Sequence, residues 1–153
     1  MSNDEVIEAG QVVKRIMAAA NAQDIDEYLA MQHPQIELVL PGGVTLRGRD
    51  EVKEHVQAQW AAFPDGRVTC VNQFFSGNQA ATEILLAATH SGALATPSGS
   101  VPPTGNRINV RFVAVHEIRD GMARSERVYF DQLDLLTQLG LMPGPGDGET
   151  TES

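Results

Sequence analysis

Between Ile108 and Leu141 the chain runs through two β-branched, apolar-rich segments, INVRFVAVHEI and MARSERVYF, on either side of the turn Arg119-Asp120-Gly121. The second segment passes directly into DQLDLLTQLGL, whose apolar residues return at helical spacing until Gly140 stops them. Alternation along a strand gives it one apolar face, and an apolar face must be covered by something. The helix that follows is positioned to cover it. A strand, a tight turn, a strand and a closing helix form a unit that can wall a pocket. This requirement constrains the fold more than any other stretch.

The rest of the chain is punctuated clearly. Ser2-Asn3-Asp4-Glu5 reads as a capping box, with Val6, Val13, Met17 and Ala20 as one stripe of a first helix. Asp24 and Glu27 open a short second helix bearing Tyr28, Leu29 and Met31, which Pro34 ends. Ile36 to Leu40 reads as a strand, and Pro41-Gly42-Gly43 turns it into a second short strand, Val44 to Arg47. Asp50 is placed to cap a third helix with Val52, Val56, Trp60 and Phe63 on its apolar face, stopped by Pro64-Asp65-Gly66. Arg67 to Phe75 and Ala80 to His90 predict a long hairpin around Ser76-Gly77-Asn78. Ser91 to Arg107 predicts a long irregular loop, a length usually functional or flexible inside a compact domain. Gln132 to Leu139 is the closing helix. Helices first and mostly antiparallel strands after predict an α+β layout with helices covering one face of a curved sheet. Residues 1–142 read as one domain, and 143–153 (PGPGDGETTES) as a disordered tail.

Charge and cysteine content exclude several function classes. A net charge of −9, with 11 Lys and Arg against 20 Asp and Glu, leaves no basic patch for phosphate and predicts no nucleic-acid partner. Cys70, the only cysteine, cannot form an internal disulfide and is expected to be a small buried hydrophobe between Val68 and Val71. No Cys/His spacing reads as a zinc site. No apolar run approaches membrane-spanning length, so no membrane partner and a cytoplasmic location are expected.

Five motifs together touch most of the chain between Gln32 and Leu141: HPQIELVLPGGVTLRGRDEV (33–52), AAFPDGRV (61–68), THSG (89–92), PPTGNRI (102–108) and EIRDGMARSERVYFDQLDLLTQLGL (117–141). In that order and spacing the chain resembles the SnoaL-like polyketide cyclase (ester cyclase) branch of the NTF2-like (nuclear-transport-factor-2-like) superfamily. The resemblance implies a cone-shaped, antiparallel-rich curved sheet wrapped on three helices, a pocket for a small apolar ligand, no cofactor, and a homodimer. It also implies a key acid within the last strand, three residues before the acid that ends it, which falls on Val128. The cyclases' histidine on the preceding strand falls on Ala114. Both proton-transfer positions are apolar here.

Other groups must then carry any chemistry. The final strand divides by alternation into Arg124, Glu126, Val128 and Phe130 on one face and Ser125, Arg127, Tyr129 and Asp131 on the other. The resemblance turns the Val128 face to the cavity, giving an expected lining of Tyr28, Trp60, Phe112, Ala114, Arg124, Val128 and Phe130. Across a three-residue turn His116 is expected opposite Arg124 and diagonal to Glu126. A histidine and a carboxylate on one wall suit general acid/base work, or form a structural ion pair. His90, which the resembling cyclases also carry, suits a ligand hydrogen bond at the pocket mouth or an anchor for the following loop. Asp131, with Asp134 three residues on, reads as a helix N-cap. His33 reads as a loop residue, and Trp60 and Phe63 as core.

These residues are compatible with a cofactor-independent cyclase or isomerase moving protons on a polyketide-like carbonyl compound, with His116, Glu126 and His90 as candidates. An alternative is a non-catalytic binding module for an apolar metabolite, motivated by Val128 and Ala114. An epoxide hydrolase is a third reading, short of a second acid on the final strand.

Overall fold

The computed structural model describes residues 3–96 and 98–143. Its elements follow the sequence order α1 (Asn3–Ala22), α2 (Ile25–Ala30), β1 (Gln32–Leu40), β2 (Val44–Arg47), α3 (Gly48–Ala62), β3 (Arg67–Ser76), β4 (Gln79–Thr89), β5 (Leu94–Thr96), β6 (Gly99–Val101), β7 (Arg107–Arg119), β8 (Met122–Tyr129) and α4 (Gln132–Gln138). The fold is α+β. Six strands form one curved sheet in the order β2-β1-β8-β7-β4-β3, and β5 pairs only with β6. The ladders are antiparallel except at the centre, where β1 and β8 run parallel.

Alternation along β7 turns Ile108, Val110, Ala114, His116 and Ile118 to the buried face, with Phe112 between them. Their partners across the ladder, Ala88, Leu86, Thr82 and Ala80, do the same in β4. Helices α1 and α3 pack on this face. The stripe of α1 that packs inward is Ala9, Val12, Val13, Ile16 and Ala19, rotated from the expected one because Val12 and Ile16 share the burial with Val13. Gly10 lies under the Phe75 ring of β3: a Cβ there would sit 3.3 Å from it. Two apolar clusters result. One joins α1, α2, β1 and α3; the other joins Ala62, Phe63, Leu94, Ile108 and Leu139 at the opposite end of the sheet.

Several local expectations need correction. The four helices read from the sequence are all present among the described residues, the closing one as α4. β1 begins at Gln32, ahead of Pro34, whose missing N–H is tolerated where the β1–β8 ladder is irregular between Gln32 and Glu37. Helix α3 starts at Gly48 after a corner with φ +84°, so Asp50 lies inside the helix. Arg47 is the N-cap, and Glu51 reaches back to accept its backbone N–H at 2.8 Å. Within the predicted loop lies the β5–β6 hairpin. Cys70 is exposed rather than buried, since β3 is an edge strand interrupted by a register shift between Cys70 and Asn72. Asp24 and Asp131 cap α2 and α4 as their spacing predicts, accepting from Glu27 and Asp134 N–H, each at 3.1 Å. The expected Ser2 cap and the tail 144–153 lie outside the described residues. Among those described, no helix is long and apolar enough to cross a membrane.

Candidate functional site: a cavity with one buried carboxylate

Between the concave face and the helices lies a cavity of about 260 Å³. Leu38, Leu40, Val68, Leu86, Ile108, Val110, Phe112, Val128 and Phe130 line it from the sheet. Tyr28, Val56, Trp60, Phe63 and Leu135 line it from the helices and the loop after α3. Tyr28 and Trp60 meet edge to face, centroids 5.8 Å apart. Apolar carbon dominates this wall, as in most small-molecule sites. Among the lining residues one carboxylate stands out, Glu126.

The position of Glu126 depends on a bulge. In the β7–β8 ladder Glu117 pairs with Ser125, but Ile118 pairs with Ala123, so Arg124 is the extra residue. The turn itself holds two residues, with Arg119 paired to Met122, and the bulge adds one more, so the register moves by two from that of a three-residue turn. His116 therefore stands directly opposite Glu126, not opposite Arg124. It also turns Arg124 to the outer face, where its guanidinium donates to the Gln35 carbonyl at 2.7 Å. Arg124 is thus not a cavity residue, contrary to simple alternation. It lines a polar groove on the outside of the sheet with Glu37, Glu117, Arg119, Ser125 and Arg127.

His116 Nε2 lies 3.4 Å from Glu126 Oε1, with side-chain exposures of 3% and 12%. This is ion-pair distance, and neither ring nitrogen is aligned with a hydrogen-bond partner. His116 does not line the cavity; it stands behind the carboxylate. Burial pushes the Glu126 carboxyl upward, but the imidazoles of His116 and then His55 outweigh it and hold it below the ordinary range. Glu126 is a carboxylate at neutral pH.

His55 is the cavity residue that sequence reasoning missed. It stands three residues after the buried Val52 on α3, so helical spacing alone carries it toward the same face. Burial lowers its pKa from the ordinary 6.5, with Glu126 pulling the other way, so its imidazole is neutral at pH 7. Burial, followed by the charge of Glu126, pushes the Tyr28 phenol upward and keeps it protonated. Gln59, one turn after His55, also lines the cavity. The side chains of Tyr28, His55 and Gln59 have no hydrogen-bond partner among the described residues. Asn21, in contrast, is bound on both sides by the Val68 backbone, at 2.8 and 3.0 Å.

Other candidates fall elsewhere. His90 is fully buried and outside the cavity lining. Its Nδ1 accepts the Thr104 N–H at 3.1 Å, its backbone bonds Gly105 and Asn106, and its ring packs on Phe63 at 5.4 Å. The backbone donor fixes the proton on Nε2, which has no partner. His90 anchors the loop. Beside it Ser91 and Gly92 donate to the Ala62 carbonyl, an approach only glycine permits, since a Cβ at Gly92 would overlap the Ala61 carbonyl. Ala114 is buried on the concave face without lining the cavity. Tyr129 is exposed, and His33 lies within β1 rather than in a loop, where its Nδ1 accepts the Gln35 N–H at 3.0 Å and its Nε2 stands 3.7 Å from the Asp120 carboxylate. No group of three or more His, Cys, Asp or Glu side chains among the described residues is placed to hold a metal ion.

Comparisons with known proteins agree with this architecture. A protein from Jannaschia sp. CCS1, described as a SnoaL-like polyketide cyclase, has the same fold (TM-score 0.79, 20% identity, 90% of this chain and 94% of that one). IdmH from Streptomyces antibioticus, described as a polyketide cyclase, superposes with TM-score 0.73 at 25% identity, over 86% of this chain and 98% of its own. A protein of ketosteroid isomerase-like fold from Catenulispora acidiphila DSM 44928, crystallised with trimethylamine, gives 0.71 at 18% identity, over 86% and 93%. No curated protein matches the chain. The SnoaL-like domain family matches residues 13–126. With three-quarters of its length matched and the cone-shaped sheet in place, the chain belongs to the SnoaL-like domain family and has the NTF2/ketosteroid isomerase-like fold.

Proposed function

We propose that this protein is a cofactor-independent enzyme that moves a proton on a small, mostly apolar carbonyl compound, by cyclisation or isomerisation, with Glu126 as the base. The observation that carries this reading is the Glu126 carboxylate on the wall of an otherwise apolar cavity, held ionised by His116 3.4 Å behind it. The carboxylate is ionised at neutral pH, the form that a general base needs, and it is set among apolar side chains. His116 acts as a positioning residue for it, not as its partner across the substrate. The polyketide cyclase descriptions of similar structures support a carbonyl substrate.

Two features weigh against the other readings. A pure binding module predicts a cavity without convergent polar groups, whereas Glu126, His55, Gln59 and Tyr28 line this one. Epoxide hydrolysis calls for two carboxylates around a water, and among the described lining residues only Glu126 is acidic.

Proton abstraction is testable without knowing the natural substrate. In D2O, the chain is expected to accelerate exchange of the α-protons of 2-tetralone, followed by 1H NMR. Glu126→Gln is expected to lower that rate at least ~100-fold, the range for loss of a positioned base. Equal rates for wild type, Glu126→Gln and buffer would rule the reading out.

A further inference from the structure

The cavity has two unlike walls. The sheet supplies the anion, Glu126, while α2 and α3 supply polar side chains with no hydrogen-bond partner among the described residues: His55, Gln59 and Tyr28. Asn21, half-buried in the same lining, is bonded to the Val68 backbone at 2.8 and 3.0 Å, whereas these three side chains meet no such partner among the described residues. Free donors facing an apolar cavity are therefore placed for a group the ligand brings. His55 and Gln59 stand four residues apart on one face of α3, so both reach the same stretch of cavity from one rigid element.

We propose that His55, with Gln59 beside it, is the oxygen-binding side of this cavity, and that the ligand is an enolisable ketone whose oxygen faces α3 while its α-carbon faces Glu126. The inference rests on the proton-transfer reading of the preceding subsection and adds a residue and a ligand orientation to it. In the reaction, Glu126 takes the α-proton. The C–H electron pair becomes the carbon–carbon double bond of the enolate, and the carbonyl pair moves onto oxygen. There the neutral His55 ring donates a hydrogen bond from its N–H, assisted by the Gln59 amide. Glu126 then returns its proton to carbon, or exchanges it with solvent. An imidazole kept neutral by burial suits this role, since an imidazolium beside Glu126 would close an ion pair across the cavity instead.

The experiment uses 2-naphthol, a flat stand-in for the enol of 2-tetralone, and naphthalene, which lacks the oxygen. Binding to the full chain is followed by fluorescence, and the histidine ring nitrogens by 15N NMR. Wild type is expected to prefer 2-naphthol at least 10-fold, with the His55 nitrogen resonances moving on binding. His55→Ala should lose the preference while still binding naphthalene, and His55→Gln, which keeps an amide donor, should restore part of it. A His55→Ala protein that keeps the wild-type preference overturns the proposal, as does a wild type that does not discriminate the two. The two readings separate cleanly: loss of tetralone exchange in Glu126→Gln with unchanged naphthol preference in His55→Ala leaves the base and removes the oxygen site. Naphthol preference without any exchange does the reverse.

Discussion

Glu126 and His116 show what a single residue's surroundings decide. Each alone would be costly at these burials, and together they form a pair behind an apolar wall. Removing one partner leaves the other charged, buried and unpaired. His116→Ala is therefore expected to lower unfolding free energy by about 3–5 kcal/mol, measured by urea denaturation, and Glu126→Gln on top of it should recover part of the loss. Both residues can be named from the sequence, because ionisable groups in an alternating apolar strand stand out. Their pairing cannot, since nothing in the Met122–Glu126 sequence marks Arg124 as the bulged residue. His55 is harder to see for a different reason. Lys53 and Glu54 give its surroundings the look of a solvated face, and only its spacing from Val52 points inward. His90, with two readings open in the sequence, is an anchor because Thr104, fourteen residues away, returns to meet its ring.

At the level of elements, punctuation residues are the most legible. Asp24, Asp131, Gly140 and the Asp120-Gly121 turn act through local backbone chemistry, which a sequence states directly. Asp131 deserves its cap role on geometry: its carboxylate accepts the Asp134 N–H at 3.1 Å, and α4 then covers the far end of β7. Asp131→Ala is expected to cost about 1 kcal/mol, with hydrogen exchange faster in α4 and unchanged in β3, which β4 separates from β7. Where elements begin depends on partners far away in sequence, and there alternation misleads. β1 starts before Pro34 because β8 lies beside it, and the β5–β6 hairpin forms within a Gly- and Pro-rich stretch that reads as loop.

For the whole molecule, the cone and its helices follow from the order of elements, while the parallel β1–β8 junction does not, since it joins strands some ninety residues apart. The cavity's charges also make stability a property of the entire fold. His55 has a folded pKa below 6.5, so the unfolded chain takes up its proton first and stability falls as pH drops below that value. Glu126 has a folded pKa below its ordinary 4.5, so its contribution is present above 4.5 and is lost as pH falls further. Thermal unfolding is thus expected to occur at progressively lower temperature from pH 7 downward, in two stages. His55→Asn should flatten the stage that sets in below pH 6.5.

The central position of β8 has a consequence for synthesis. Translation delivers β1 early and β8 last among the strands, yet β8 alone joins the β2-β1 half of the sheet to the β7-β4-β3 half. A chain still emerging from the ribosome holds two unjoined half-walls, and hairpin and helix contacts are all it can make. The cavity, its carboxylate and any ligand affinity arise together, in one step, when the final strand slots between its two neighbours.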